Sequence, residues 1–281
     1  MISSKNIAAV VVTYNCDVSD FKKSLDSYKN YVDCVYICDN SDNIDLNALE
    51  SESNIVYISM NGNKGIAAAL NMGCKRAWEQ GYKWILTMDQ DSRFLSNIDS
   101  YIQSCNNVEN KNVVLFCPEY RFHDEIRVTE TATEEYYVKK SIQSGCFLDL
   151  GIFLKLGGFL EKYFIDYVDY EYCRRLLKSG YTLKKIPSVL LAHKRGSLCS
   201  RNVLGKNYTF AFSSPTRVYY QTRNSIDYYL KYHDLNDMVS RFFILSRMIL
   251  LEYNRLQKIK AIYWGVVDYL RGRWYKLERN L

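Results

Sequence analysis

Apolar and polar positions alternate along the chain in two rhythms. Ile7 to Thr13 is a β-branched run that ends in Tyr14-Asn15, and helical periodicity follows over Val18 to Tyr31. A second run, Val35 to Cys38, ends in Asp39-Asn40, and Ile55 to Ile58 is a third. Asn63-Lys64-Gly65 opens a helical stretch from about Ile66 to Gln80, closed by Gly81. Lys83 to Met88 is a fourth run, ending at Asp89. Strand and helix in this order predict right-handed βαβ units and a mostly parallel sheet. Polar residues gather where three strands end, at Thr13-Tyr14-Asn15, Asp39-Asn40 and Asp89-Gln90-Asp91. That edge is where open α/β sheets bind ligands.

The second half is mixed. Lys139 to Leu150 reads as a strand, and the turn Gly157-Gly158 follows it. Asp169 to Lys178 reads as a helix closed by Gly180, and Tyr181 to Ile186 as a short strand ended by Pro187. From Pro215 onward the pattern is helical over Thr216 to Tyr232, about Asn236 to Lys258, and Ala261 to Lys276. The expected organisation is an α/β domain over residues 1–235, with halves 1–120 and 121–235, and a helical C-terminal appendage over 236–281.

Composition narrows the classes. With 281 residues and 48% hydrophobic content the chain can bury a sizeable core. No apolar stretch approaches the ~18 uninterrupted residues of a membrane span, and the N-terminal run is too short for a signal-peptide core. The nine Cys lack any Cys-x-x-Cys pair and there are three His, so neither a zinc cage nor a disulfide framework is indicated. Reduced thiols in a cytoplasmic protein are the expectation. A net charge of +6 is too weak to argue for nucleic acid and suits an anionic ligand or a membrane surface. The 25 Tyr suggest surfaces that are part apolar and part wet.

Asp89 and Asp91, one residue apart after a buried strand, can address one divalent cation from the same side. Alone, such a pair also fits a solvated loop. The series Val10 to Asn15, Cys38-Asp39-Asn40-Ser41, Asn63-Lys64-Gly65-Ile66-Ala67 and Asp89-Gln90-Asp91-Ser92 resembles the nucleotide-sugar-binding half of family 2 glycosyltransferases. The resemblance continues in Phe164 to Glu171, His193 and Tyr219-Tyr220-Gln221-Thr222-Arg223-Asn224, and is strongest to rhamnosyltransferase-type members of bacterial O-antigen and capsule synthesis.

The resemblance implies a GT-A fold, with residues 1–120 binding the donor and 121–235 the acceptor. It implies that Thr13, Tyr14, Asn15, Asp39 and Asn40 line the nucleoside pocket, with Asp39 accepting from the base edge. Asn63 and Gly65 would stand at a helix N-terminus beside the donor. Asp89, Gln90 and Asp91 would act on the diphosphate, with Mg²⁺ or Mn²⁺ held by Asp91, Asp89 and His193. Each also has a plainer reading: a helix cap for Asp39 and Asn63, a core aromatic for Tyr14, a structural imidazole for His193.

Inverting transfer needs a carboxylate to take the acceptor hydroxyl's proton. The resemblance assigns this to Asp169, with Arg175 six residues later; Val168 and Glu171 depart from the commoner Glu-Asp-x-Asp pattern. Asp166 is the rival, and on a helix it would share a face with Asp169. Arg217, Tyr220, Arg223 and Asn224 could clamp a diphosphate or form an ordinary helix face. Gly145 and Cys146 are candidates for close acceptor approach, and Glu171 joins the acceptor-side set. Tyr163, Tyr167, Tyr170, Tyr172, Tyr219 and Tyr220 suggest sugar stacking.

In the tail, Arg241, Arg247, Arg255 and Lys258 fall within a sector of roughly 120°. That pattern fits a helix in a membrane interface, or one packed on the catalytic domain or on a second copy in a homo-oligomer. The implied partners are a nucleotide-sugar donor, dTDP-L-rhamnose in the first place, and a saccharide on polyprenyl diphosphate, met at the cytoplasmic face of the membrane. UDP-galactose or UDP-glucose are alternative donors. A nucleotidyltransferase would carry a Gly-rich basic loop near the N-terminus, which Thr13-Tyr14-Asn15-Cys16 is not. A non-catalytic scaffold would have lost carboxylates that are present here.

Overall fold

The strand runs assemble into one mixed sheet in a computed structural model, which describes residues 7–42, 53–95, 98–106, 112–122, 134–194, 196, 198–203 and 205–279. Part of the expected acceptor half, residues 123–133, lies outside them. The strands are β1 (Ile7–Thr13), β2 (Cys34–Asp39), β3 (Ile55–Ser59), β4 (Trp84–Asp89), β5 (Arg93–Phe94), β6 (Val113–Phe122), β7 (Tyr136–Val138), β8 (Cys146–Asp149) and β9 (Thr182–His193). Their order is β3-β2-β1-β4-β8-β6-β9-β5, with β7 paired to β9. β3, β2, β1 and β4 are mutually parallel, as the βαβ pattern predicts. β8 enters antiparallel to both β4 and β6. Every residue of β1 and β2 is buried, which explains why both read as continuous apolar runs rather than alternating ones.

α1 (Val18–Asp26) is capped by Asp17, whose carboxylate accepts from the Asp20 N–H at 2.9 Å. That contact and the Ser19 hydroxyl hold the Asp17 carboxyl below the usual range. α2 (Ile66–Glu79) lies against β1 and β2 through Gly73, where a Cβ would stand 2.3 Å from Val10 Cγ2. α3 (Ile98–Asn106), α4 (Leu150–Lys155) and α5 (Val168–Lys178) complete the connections.

Two strand boundaries differ from expectation. The extended line expected over Lys139 to Leu150 is a strand only from Cys146, because Gly145 has φ +80° and turns the chain. β9 continues through Pro187 to His193. The β6–β9 pairing jumps from Pro118↔Ile186 to Glu119↔Leu190, a bulge that leaves the ring without a ladder bond to make.

The described contacts divide the chain into two units, 1–160 with 169–194, and 161–168 with 195–281. The division differs from the one expected near residue 235, since α6 groups with the later helices. The second unit holds a hairpin, β10 (Leu198–Val203) and β11 (Lys206–Ala211), and helices α6 (Pro215–Tyr232), α7 (Leu235–Leu251) and α8 (Arg255–Leu270). The helix expected over Asn236 to Lys258 is broken at Glu252, with Asn254 left-handed at φ +60°. The cause is a buried ion pair: Lys258 Nζ meets Glu252 Oε2 at 2.5 Å, and the Ser213 N–H donates to the same oxygen at 3.1 Å. Lys258 therefore does not belong to the exposed basic sector expected of it. The helix expected to reach Lys276 ends at Leu270, and Gly272 turns the chain at φ +63°.

Candidate active site

Three strand ends meet in register: Thr13 pairs with Asp39 across β1 and β2, and Val12 with Asp89 across β1 and β4. Asp39 is buried, and Oδ1 accepts from Thr13 Oγ1 at 2.8 Å, Ser41 Oγ at 2.7 Å and Ser41 N–H at 3.1 Å. Tyr57 O–H donates to Oδ2 at 3.0 Å. The carboxylate thus ties the end of β1, the loop after β2 and β3 together, and Oδ2, with one donor among the described residues, keeps the larger share of its acceptor capacity. Ser41 Oγ also accepts from the Asn15 N–H at 2.8 Å, which holds Asn15 in its left-handed turn at φ +45°.

Tyr14 is exposed and not a core aromatic. Its N–H donates to Gln90 Oε1 at 2.7 Å and its carbonyl accepts from Gln90 Nε2 at 3.3 Å, so Gln90 clamps the β1 loop to the β4 loop. Asn40 is buried and bridges the loop before α2. Its Nδ2 donates to the Gly65 carbonyl at 3.2 Å and its Oδ1 accepts from the Lys64 N–H at 3.0 Å. Asn63 Oδ1 accepts from the Gly65 N–H at 3.0 Å. Gly65 occupies the N-cap position of α2 at φ +91°, and no side chain among the described residues caps that helix.

Asp89, Asp91 and His193 each bring one potential ligand atom within 4.8 Å of the others. His193 reaches this position because β9 runs on past Pro187. Its Nδ1 lies 2.8 Å from Ser92 Oγ and 3.8 Å from Asp89 Oδ2. Two carboxylates and an imidazole form a donor set that suits a divalent cation such as Mg²⁺ or Mn²⁺. Asp89 is itself held: Gln143 Nε2 donates to Oδ1, and the Asp89 N–H donates to Ser144 Oγ at 3.0 Å. Gln143 is buried, and among the described residues its Oε1 has no hydrogen-bond partner. Ser41 and Ser92 stood inside the quoted motifs without a role of their own, and Tyr57, Gln143 and Ser144 escaped the linear reading. For Gln143 and Ser144 the signal was the stretch Gln143-Ser144-Gly145 interrupting an expected strand.

Asp169 lies in the first turn of α5, partly exposed, and lines a small cavity with Ser141, Gln143, Cys146, Tyr172 and Cys173. Burial pushes the Cys146 and Cys173 thiols up, so both stay protonated, and Cys146 Sγ donates to the Ile142 carbonyl at 3.1 Å. Cys146 is interior, and Gly145 is required by packing rather than by acceptor approach. A Cβ there would meet Leu191 Cδ2 at 2.8 Å and Pro118 Cγ at 2.9 Å. Glu171 also faces inward, fully buried, and pairs with Arg175 at 2.8 Å. Arg175 in turn donates to the carbonyls of Leu156 and, at 2.7 Å, Gly158. The pair fastens α5 to the Gly157-Gly158 turn, which removes Glu171 from an acceptor surface.

In the second unit, Asp166 has φ +64° and stands before α5 begins, so it does not share a helical face with Asp169. Arg217 grips both Asp166 oxygens, Nη2 to Oδ1 at 2.5 Å and Nε to Oδ2 at 3.2 Å. Asn224 Nδ2 donates to the carbonyls of Ile165 and Asp166, both at 2.9 Å. Arg223 is 0% exposed and donates to the Lys162 carbonyl at 3.1 Å, the Tyr275 carbonyl at 3.2 Å and Tyr219 Oη at 3.2 Å. Tyr220 Oη accepts from the Leu277 N–H at 2.7 Å. Tyr220, Arg223 and Asn224 are thus interior fasteners of 162–166 and 275–277, and Arg223 is not open to a diphosphate. The buried Tyr163, Tyr167 and Tyr219 likewise donate to Asp227, Asp237 and Asp268 rather than offering stacking faces.

In sequence and in fold the chain is similar to known glycosyltransferases. Residues 8–141 match the family described as glycosyl transferase family 2. The chain is 28% identical to dTDP-rhamnosyl transferase RfbF of Shigella flexneri, over 96% of this chain and 97% of that one. In fold it is similar to GalNAc-T7 crystallised with UDP, GalNAc and Mn2+, at a TM-score of 0.61 and 14% identity. That likeness covers 95% of this chain and 57% of GalNAc-T7. S. aureus TarS 1-349 in complex with UDP-GlcNAc is similar at a TM-score of 0.59 and 14% identity, over 95% and 81%. The mannosyltransferase PcManGT of Pyrobaculum calidifontis, with GDP-Man and Mn2+, gives 0.57 and 14%, over 94% and 75%. Residues 8–141 thus resemble family 2 glycosyl transferases, and almost the whole chain resembles a dTDP-rhamnosyl transferase, on the α/β fold that the three solved structures share.

Proposed function

We propose that the protein transfers L-rhamnose from dTDP-L-rhamnose, with inversion, to a saccharide carried on polyprenyl diphosphate at the cytoplasmic face of the membrane, in bacterial O-antigen or capsule synthesis. The observation that carries this reading is the likeness to RfbF along almost the whole of both chains. The loops after β1 and β2 receive the nucleoside, with Thr13, Tyr14, Asn15 and Asp39 around it. Asn40 shapes the loop of Asn63 and Gly65 beside the donor. Asp89, Asp91 and His193 would hold Mg²⁺ or Mn²⁺, which when bound neutralises charge on the departing diphosphate. Gln143 and Ser92 orient Asp89 and His193 for that task.

Asp169 takes the proton from the acceptor hydroxyl. The acceptor oxygen bonds to the anomeric carbon as the bond from that carbon to the phosphate oxygen breaks, and dTDP departs from the opposite side. A panel of sugar nucleotides, assayed for diphosphate release with Mg²⁺, with Mn²⁺ and with EDTA, tests the reading. The largest turnover is expected with dTDP-rhamnose and a divalent cation, and loss of turnover is expected in EDTA. A clear preference for a UDP-sugar overturns the donor assignment, and full activity in EDTA overturns the metal.

A further inference from the structure

Helices α7 and α8 carry apolar side chains where a protein surface is ordinarily polar. Along α7, Leu235, Met238, Val239, Phe242, Phe243 and Leu250 are exposed, Phe242 by 67% and Phe243 by 66%. At ~100° per residue these six fall within a sector of about 140°, on the side away from the buried Met248. Along α8, Leu256, Ile259, Tyr263, Val266 and Leu270 are exposed, Leu256 by 83%. They form a stripe about 80° wide, turned away from the buried Ala261, Gly265 and Asp268. Scattered apolar side chains on a surface need no explanation, but continuous stripes on two successive helices mark a docking surface.

Charge selects what docks there. Residues 236–281 contain nine Lys and Arg against four Asp and Glu, and so hold five of the six net positive charges. Three of those acids are engaged within the unit: Glu252 with Lys258, Asp268 with Tyr219 and Arg279, and Asp237 with Tyr167. Arg255, Lys260, Arg271, Arg273 and Lys276 are exposed. Arg255 and Lys260 lie on opposite flanks of the α8 stripe. A second copy laid on this face would set like charges against one another. A lipid surface with anionic headgroups accepts the apolar stripe and the cations together. Among the described residues no helix is long and apolar enough to cross a membrane.

We infer that the outer faces of α7 and α8 form an interfacial docking surface for anionic lipid, lying in the plane of the headgroups. The inference deepens the membrane placement proposed above and rests on that placement, not on the identity of donor or acceptor. Flotation of the full chain with vesicles of phosphatidylglycerol and phosphatidylcholine, compared with phosphatidylcholine alone, tests it. Binding is expected with the anionic vesicles. It should fall at least about tenfold in Phe242→Ser/Phe243→Ser, and roughly fivefold for each charge removed in Arg255→Gln and Lys260→Gln. All are exposed positions, so the melting temperature should hold.

Absence of wild-type flotation overturns the inference, as does undiminished flotation of the double Phe variant. A wild-type dimer that sediments as a monomer in that variant overturns it too, by assigning the face to a second copy. Transfer to a short water-soluble acceptor is measured in parallel without vesicles. Flotation without any transfer supports the docking surface and counts against the proposed function alone.

Discussion

Asp169 is the side chain on which the proposed chemistry turns, because transfer with inversion needs one carboxylate oxygen to take one proton. Asp169→Asn keeps the shape and the first turn of α5 while removing the base. Transfer is expected to fall by about 10²–10⁴-fold, with donor binding, read by thermal protection, nearly unchanged. Retained turnover moves the base to another carboxylate. Gln143 acts at one remove, through its bond to Asp89 Oδ1. Gln143→Leu preserves volume, so stability should change little. The apparent affinity for Mn²⁺, taken from activity against cation concentration, should weaken by roughly 10–100-fold. An unchanged cation dependence would show that Asp89 needs no such support. Asp89 and Asp91 were legible in the chain because their chemistry is local. Gln143 was not, since the carboxylate it serves lies 54 residues away.

Among the elements, the first four strands and α2 stood where periodicity set them, because each buried strand there is a continuous apolar run. Gly73 shows what periodicity omits. It reads as a weak point inside a helix, yet it is the place where α2 meets β1. Gly73→Ala should cost roughly 1–3 kcal/mol by overpacking, seen as a lowered denaturation midpoint. Equal or greater stability would mean that α2 can move off Val10. Pro187 misled in the other direction. Proline usually ends a strand, but a bulge absorbs it here, and that bulge carries His193 to Asp89. The break at Glu252 was hidden for a related reason: Glu252-Tyr253-Asn254, between α7 and α8, holds no proline or glycine to stop a helix, and a buried Lys258 partner decides otherwise.

Over the whole molecule, tyrosine and charge end in places that composition alone did not assign. Tyr28, Tyr101, Tyr163, Tyr172, Tyr219 and Tyr220 are among the largest fully buried side chains. Three acceptor-side tyrosines, Tyr163, Tyr167 and Tyr219, are satisfied by aspartates of the second unit. Wet, stacking tyrosines are therefore fewer than the count suggested, with Tyr14, Tyr253, Tyr263 and Tyr275 among those exposed. The modest positive charge is not spread evenly, since five of its six units fall in residues 236–281. Their concentration beside exposed apolar stripes gives the last two helices a surface chemistry of their own.

The sequence by itself determined the βαβ character of the first half, the polar strand ends and the Asp89–Asp91 pair, because each depends on neighbours in the chain or on a period of a few residues. The likeness to family 2 glycosyl transferases followed from those motifs taken together. Only the tertiary structure decided which polar residues of the second half are open. Arg223, Asn224 and Glu171 look on paper like ligands for an anion or a sugar. Folded, they satisfy carbonyls and an arginine in places that water does not reach. The physical reason is that burial and long-range pairing set whether a charged side chain is a fastener or a ligand. Neither leaves a mark in spacing along the chain.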